Sequence, residues 1–325
     1  MMRSTSRQAV VPALAHAPAS VAPRMRAGVS VATGRAAQRS FAGEVARLAL
    51  RSLHAELCLY PKPGLVSLVD TGSHDDMNAL TFMRSLFSLR HYFKKICLAG
   101  WHDAPFSRLK QLGIEAEAKM LKATRGINTH RGAIFSLGML CATAGRARAQ
   151  GTPMTAAALR AAMLIRWGEE LAMHAVPTDA RADAPAAGLS NGLRVAARYA
   201  VSGAREEGAL GLPSVFEIGV PALLASRARG ASMTHARIDT LFTLMARIND
   251  SNVYHRAGPQ GAQTVRAHAQ RFIDLGGTAN ADWHAEALAS HQVFVKQRLS
   301  PGGAADLLAA SCLVQAIAAM DCSLR

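Results

Sequence analysis

The sequence predicts an all-α protein, a single compact multi-helix domain of about ten helices. Three observations predict it. Apolar residues recur at helical spacing along nearly the whole chain after residue 43. No segment alternates β-branched and polar residues at period two between turn signals. Half of the 325 residues are hydrophobic but only 5% are aromatic, so Ala, Leu, Val and Met must fill the core, which suits closely approaching helices.

Taken in order, Val45, Leu48, Ala49, Leu53 and Leu57 share one face of a first helix. Similar segments follow near residues 77–98, 106–122, 131–148, 155–173, 189–200 and 214–228. The clearest stripe is Ile238, Leu241, Phe242, Met245 and Ile248, with Asp239, Thr240, Thr243 and Arg247 opposite. Helices near 260–275, 281–298 and 303–320 complete the series. Spacing shows no fixed repeat, so a solenoid is not supported. "VPTDARADAPAAG", Val176 to Gly188, reads as a surface loop between like helices. There is no run of eighteen uninterrupted strongly apolar residues; the nearest, Gly132 to Gly145, is too short to cross a bilayer.

Residues 1–42 read as a disordered basic leader, and residues 43–325 as the catalytic all-α domain. The first forty residues carry six arginines and no acid. Such a composition also occurs in organellar transit peptides, but it lacks the continuous apolar stretch of a secretory signal. The net charge is +15, and setting aside those six arginines leaves +9 for the body. A basic body calls for an anionic partner: nucleic acid, a membrane surface or a polyphosphate. Cations do not cluster on one helix and aromatics for base stacking are few, so no nucleic acid and no membrane are expected as partners. Five cysteines, at positions 58, 97, 141, 312 and 322, form no C-x-x-C pair and no zinc spacing. They read as reduced core residues of a cytoplasmic protein.

Chemistry is concentrated in five polar connections. The first, "PKPGLVSLVDTGSHDDM", runs from Pro61 to Met77 and holds Lys62 between prolines, then Ser73, His74, Asp75 and Asp76. In "TRGINTHRGAIFSLG", Thr124 to Gly138, Asn128 or Thr129 can cap a helix starting near Arg131. "SGAREEGALGLP" clusters Arg205, Glu206 and Glu207 between glycines. "NDSNVYHRAG" packs Asp250, Asn252, His255 and Arg256 into seven residues. In "LSPGGAADLL", Ser300 and Pro301 start a helix, and Gly302 and Gly303 leave backbone N–H groups open to an anion. Each has a plain alternative: Asn128 and Ser300 as caps, Asp306 as a first-turn carboxylate, Asp75 and Asp76 as solvated acids. A phosphate-binding G-x-x-x-x-G-K-[ST] loop, a dinucleotide-binding G-x-G-x-x-G unit, an H-E-x-x-H pair and a G-x-S-x-G elbow are all missing. The residues alone describe a helical scaffold with an acidic, His-containing pocket on a basic body. That inventory suits magnesium-assisted chemistry on a phosphorylated substrate, because hard Mg²⁺ prefers carboxylate and phosphate oxygens.

In this order the five connections resemble the motifs of the triphosphoribosyl-dephospho-coenzyme A synthase family, over about residues 45–320. The wording "LYPKPGLVSLVD" followed by "FMRSLFSLRHYF" resembles its malonate decarboxylase branch more than its citrate lyase branch. The resemblance implies an enzyme that takes ATP and 3′-dephospho-coenzyme A, displaces adenine, and joins the 5-triphosphoribosyl group to the 2′-hydroxyl of dephospho-coenzyme A. It implies as further partners a phosphoribosyl-dephospho-coenzyme A transferase and the acyl carrier protein that receives the product. Motif matches cover Lys62, Ser73, His74 and Asp76; Asn128, Thr129 and His130; Arg205 and Glu207; Asp250, Asn252, His255 and Arg256; and Ser300, Gly302, Gly303 and Asp306. Arg131 stands where the family pattern has lysine, and Glu206 where it has glycine. On this basis Asp76, Asp250 and Asp306 are assigned to Mg²⁺, with Glu207 as a further acid. His74 or His130 is assigned to acid–base work, and Lys62, Arg131 and the Gly302–Gly303 turn to the phosphates. Ser73, Asn128, Arg205, Asn252, His255, Arg256 and Ser300 complete the substrate-binding set. The rival at the same sugar carbon is an ADP-ribosyl-type glycohydrolase, in which water replaces the hydroxyl.

Overall fold

Helices that are apolar on every side must lie inside, and two here are. The computed structural model describes residues 31–175 and 203–323, and every regular element among them is a helix. The order is α1 (Val31–Leu57), α2 (Ala79–Leu89), α3 (Tyr92–Trp101), α4 (Phe106–Ala123), α5 (Arg131–Ala149) and α6 (Ala156–Ala175). After the undescribed interval come α7 (Ala204–Ala209), a π-helical turn (Ser214–Gly219), α8 (Val220–Ala228), α9 (Met233–Arg247) and α10 (Ser251–Asp274). A 3₁₀ turn (Gly277–Ala279), α11 (Trp283–Lys296) and α12 (Gly302–Ser323) complete the chain. The expected loop Val176–Gly188 and helix 189–200 lie outside the described residues.

The two inner helices are α5 and α12. From Ala133 to Ala147, α5 is buried except at Phe135 and Arg146. Around it α1, α3, α4 and α6 close one apolar cluster, which includes Phe93, Met120, Leu140 and Trp167. A second cluster forms from α9, α10 and α11 around Phe242, Phe272 and Phe294. Helix α12 belongs to both: Ala309, Ala310, Leu313 and Ile317 face the first, while Ala304, Leu308 and Cys312 face the second. This helix carries one stretch, Gly302–Met320, that is long and apolar enough to cross a membrane by length and composition. It is longer than the Gly132–Gly145 run expected to be the nearest to a span; Asp306, Ser311 and Gln315 lie within it, and more than half of it is buried in the fold.

Several boundaries differ from expectation. α1 starts at Val31, inside the stretch assigned to a leader, and Phe41 and Ala42 are buried in the first cluster, so the apolar stripe extends further back than the charge pattern indicated. The segment 77–98 is two helices, broken at Arg90–His91. The connection "NDSNVYHRAG" is helical from Ser251, because Asp250 caps it. A left-handed Gly258 (φ 62°) and Pro259, which has no N–H to donate, then kink α10. Cys97, Cys141 and Cys312 are buried as expected, but Cys58 is exposed beside His54.

Close approach of α3 to α5 depends on missing side chains. Gly100 meets the backbone of Ala142, Gly145 meets the carbonyl of Cys97, and Gly138 meets the Tyr92 hydroxyl, which donates to the Ile134 carbonyl at 2.9 Å. Gly100→Ala should therefore force the two helices apart and lower stability by about 1–3 kcal/mol, read from urea denaturation.

Candidate active site

The site is built on Asp250. A short acidic side chain ahead of a helix accepts the helix's open N–H groups, and Asp250 does this for two helices at once. Its Oδ1 accepts the Asn252 N–H of α10 at 2.9 Å, and its Oδ2 accepts the Ala304 N–H of α12 at 2.9 Å. Val253 and Gly303 add backbone hydrogen bonds. A Cβ on Gly303 would lie 2.9 Å from Oδ2, which explains the glycine. Of the N–H groups expected to await phosphate at Gly302–Gly303, that of Gly303 is thus engaged by the protein's own carboxylate, and that of Gly302 donates to the Ser300 carbonyl at 2.9 Å. Burial raises the Asp250 pKa, against the lowering effect of these donors.

Above this junction sits a chain of polar contacts from three separate motifs. Arg256, on the first turns of α10, donates through Nη2 to His74 Nδ1 at 2.9 Å and through Nη1 to the Ser73 carbonyl at 3.1 Å. A guanidinium only donates, so Nδ1 must accept. The His74 proton then lies on Nε2, 2.7 Å from Ser300 Oγ. Burial lowers the His74 pKa first, Arg256 lowers it further, and Asp76, 3.6 Å from Nδ1, raises it. Ser73 is a structural tie: its hydroxyl lies 2.6 Å from the Leu299 carbonyl and 3.1 Å from that of Phe294.

Beneath lies a buried acidic group. Lys62 is 1% exposed; its Nζ sits 2.5 Å from Glu56 Oε1 and 3.0 Å from the Glu56 carbonyl. It is therefore not the free phosphate clamp that the sequence implied. Lys62 helps lower the pKa of His130 to about 3, after full burial as the larger cause. Nδ1 of His130 lies 2.6 Å from Ser85 Oγ, whose oxygen also takes the Thr129 hydroxyl at 2.7 Å. Asp306 enters from α12 and accepts the Ala133 N–H of α5, packed so tightly on Gly132 that no Cβ fits there. Burial, then Glu56 and then Asp250 push its carboxyl well above the usual range. The N-termini of α5, α10 and α12 therefore converge on two aspartates, with Lys62 as the nearby cation.

Four of the five motif loops meet here, and the third does not. Glu207 accepts the Ser214 hydroxyl at 2.5 Å and the Ser214 N–H at 3.2 Å, which joins α7 to the π-helical turn. Burial raises its pKa. Arg205 acts on His174, and Glu206 caps α7 at Gly203. Among the other expected residues, Asn128 accepts the Arg131 N–H at 3.2 Å as a cap. Arg131 pairs with Glu117 and is not free for phosphate. Asn252 packs against Gly302, and His255 is exposed. Asp75 pairs with Arg298 at the surface.

Sequence reasoning missed Glu56 and Ser85, although both left a signal. Glu56 lies on the apolar stripe with Leu53 and Leu57, and Ser85 on the stripe with Leu86 and Leu89; both are buried. His291 left none: it lies between the Lys62 carbonyl at 3.4 Å and Asp70 Oδ2 at 3.5 Å only after folding.

The expected metal set of Asp76, Asp250 and Asp306 is not drawn together. Among the described residues no three His, Cys, Asp or Glu side chains form a metal-holding group, and Asp76 stands exposed beside His74. Asp250, which is buried, and Asp306, which is half-buried, remain as a pair of carboxylates close enough for Asp250 to raise the Asp306 pKa. Such a pair fits Mg²⁺ in the manner that ion prefers, with one or two carboxylates and the remaining positions filled by phosphate and water.

Burial of neutral His130 makes stability depend on pH. Below about pH 6.5 the unfolded imidazole takes a proton that the folded one refuses until about pH 3. This contribution is full above 6.5 and is lost as pH falls, by up to about 1.4 kcal/mol per pH unit. His130→Asn should flatten the urea-derived stability profile between pH 6 and 4 by one proton's slope.

The chain matches the family model described as CitG, ATP:dephospho-CoA triphosphoribosyl transferase, over residues 42–323. It is similar to the 2-(5''-triphosphoribosyl)-3'-dephosphocoenzyme-A synthase of Klebsiella pneumoniae, 36% identical over 84% of this chain and 94% of that one. Proteins named as probable synthases of the same kind are similar too. One from Stutzerimonas stutzeri is 40% identical over 84% of this chain and 91% of the relative, and one from Acinetobacter calcoaceticus 37% over 80% and 86%. No solved structure matches. With nearly all the described residues inside the matched range, and four motif loops gathered at one buried point, the chain belongs to the CitG family of ATP:dephospho-CoA triphosphoribosyl transferases.

Proposed function

We propose that the site around Asp250 carries the transfer and that the product serves malonate decarboxylase rather than citrate lyase. The observation that supports the site is the meeting of the first, second, fourth and fifth motif loops through His74–Ser300, Arg256–His74, Asp250–Ala304 and Asp306–Ala133. In the reaction the C1′–N9 bond of ATP breaks and adenine leaves with the bonding electrons. The 2′-oxygen of dephospho-coenzyme A bonds to C1′ and loses its proton, and a proton reaches adenine. Positive charge develops on the sugar in between, and nearby carboxylates favour it.

His74 is the better acid–base group of the two histidines. His130 is too weak a base with a pKa near 3, and its buried contacts with Ser85 suit a positioning role. His74 holds its Nδ1 lone pair against Arg256, with Asp76 within reach to stabilise an imidazolium. An arriving polyphosphate competes for the Arg256 guanidinium and so exposes that lone pair. Asp250 and Asp306 would hold Mg²⁺ together with the triphosphate. The ion would supply charge neutralisation of the phosphates.

The malonate assignment rests on the wording of the first motif and of the segment after it. A downstream transferase and its acyl carrier protein follow as partners from the same reading, in the cytoplasm.

With ATP and dephospho-coenzyme A, the purified protein should release adenine and add the triphosphoribosyl mass to dephospho-coenzyme A. Free ribose triphosphate without that mass gain would instead show hydrolysis. Chelation of divalent ions should abolish turnover, and Mg²⁺ should restore it. His74→Ala should lower kcat by on the order of 10²–10⁴-fold and leave the fold intact by circular dichroism. A smaller loss there than in His130→Ala would reverse the roles of the two histidines.

A further inference from the structure

The His130 ring has one edge committed and one edge open. It stands at the start of α5, yet its side chain makes no cap to that helix. The residue is 3% exposed, and the Phe82 ring packs edge-on against it, 5.0 Å between centroids. Nδ1 lies 2.6 Å from Ser85 Oγ. Nε2 has no hydrogen-bond partner among the described residues. Nor is Nε2 sealed in: among the described residues, the sealed side-chain nitrogens and oxygens without a partner are Arg160 Nε and Arg237 Nε. The other two histidines at the site differ. His74 has both ring nitrogens engaged, by Arg256 and Ser300, and His291 has both beside oxygens of Lys62 and Asp70.

The hydroxyls behind the committed edge decide where the His130 proton lies. Thr129 Oγ1 donates to Ser85 Oγ at 2.7 Å. Ser85 is fully buried, and a hydroxyl has one proton to give. Among the described residues the acceptor left for that proton is His130 Nδ1. An Nδ1 that accepts must carry a lone pair, so the ring N–H is on Nε2, the open edge. Burial first, and Lys62 second, keep the ring from taking a further proton until about pH 3.

We infer that His130 serves the transfer as a neutral hydrogen-bond donor, through Nε2, to a lone pair of the substrate, with Ser85 and Thr129 as the positioning residues that fix its tautomer. The proton stays on Nε2 throughout, and acid–base work stays with His74. A fixed donor gains most where negative charge grows during the reaction. Two atoms of the donor substrate have that chemistry: a ring nitrogen of the departing adenine and an oxygen of the triphosphate. The inference rests on the transferase reading above and adds to it the role of the second histidine.

The test uses the full chain with isotope-labelled histidine nitrogens, read by NMR. The His130 signals are those lost in His130→Gln. In the free wild-type protein Nε2 should be protonated and Nδ1 should not. Addition of ATP alone should move Nε2 and leave Nδ1 in place. Adenine and inorganic triphosphate, each added by itself, then show which atom takes the bond. Ser85→Ala should let the Nδ1–H form appear, and Thr129→Val should do so in part; a purely structural role for either hydroxyl would leave the tautomer unmoved. In turnover, His130→Asn should lower kcat about tenfold, the share of one neutral hydrogen bond. His130→Gln places an amide N–H near the Nε2 position and has no proton to pass on, so it should recover most of that loss. Circular dichroism checks that each variant is folded. A wild-type ring protonated at Nδ1 overturns the inference, as does an Nε2 signal that ATP does not move. So does a His130→Gln loss as deep as that of His130→Asn, which would return His130 to proton transfer. If the wild-type protein makes no product at all, the transferase reading fails, and the ring signals still judge the donor by themselves.

Discussion

Everything at the centre of this protein depends on one carboxylate that serves two helices. Asp250 closes the N-terminus of α10 with one oxygen and that of α12 with the other. A buried carboxylate would cost several kcal/mol if left unpaired, so its donors are a condition of its place there. In return it sets the distance between the two helices. Arg256, one and a half turns along α10, then reaches His74, and Ser300, just before α12, receives the other side of the same ring. Gly303 of the fifth motif makes room for this carboxylate, and the helix end it occupies is already engaged by an internal anion.

The electrostatic character of the site follows from that arrangement. Glu56 and Asp250 both act on Asp306, with Lys62 bonded to Glu56 alone. This acidic surplus lies inside a chain whose net charge is strongly positive. An outer positive charge attracts polyanions, and an inner acidic surplus favours a cation or a developing positive charge beside it. His130 stays neutral within it, shielded by burial and by Lys62.

Much of the fold was legible because periodicity is a local property. The stripe of Ile238, Leu241, Phe242 and Met245 is buried as spaced, and α4, α5 and α6 end within a residue or two of expectation. Local charge was a weaker guide. The arginines at 35 and 39 suggested a leader, yet the neighbouring Phe41 and Ala42 pack into the core. In the site the residue types were legible and their partners were not. Lys62 and Arg131 looked free because the acids that hold them, Glu56 and Glu117, lie on helices outside the motifs. Glu207 belongs to the third connection by sequence order, but its hydrogen bonds turn it toward Ser214. Such pairings depend on helix packing, which spacing along the chain does not encode.

Helix α12 is shared by both apolar clusters, and its first turn carries Asp306 and the backbone held by Asp250. Neither cluster can therefore loosen by itself without taking away a wall of the other. Opening of one cluster is thereby coupled to the other, and the first turn of α12 shares the protection of the buried core. Whatever motion substrate entry demands is left to the loops and to α2 at the rim, where Leu80 and Phe87 already face solvent.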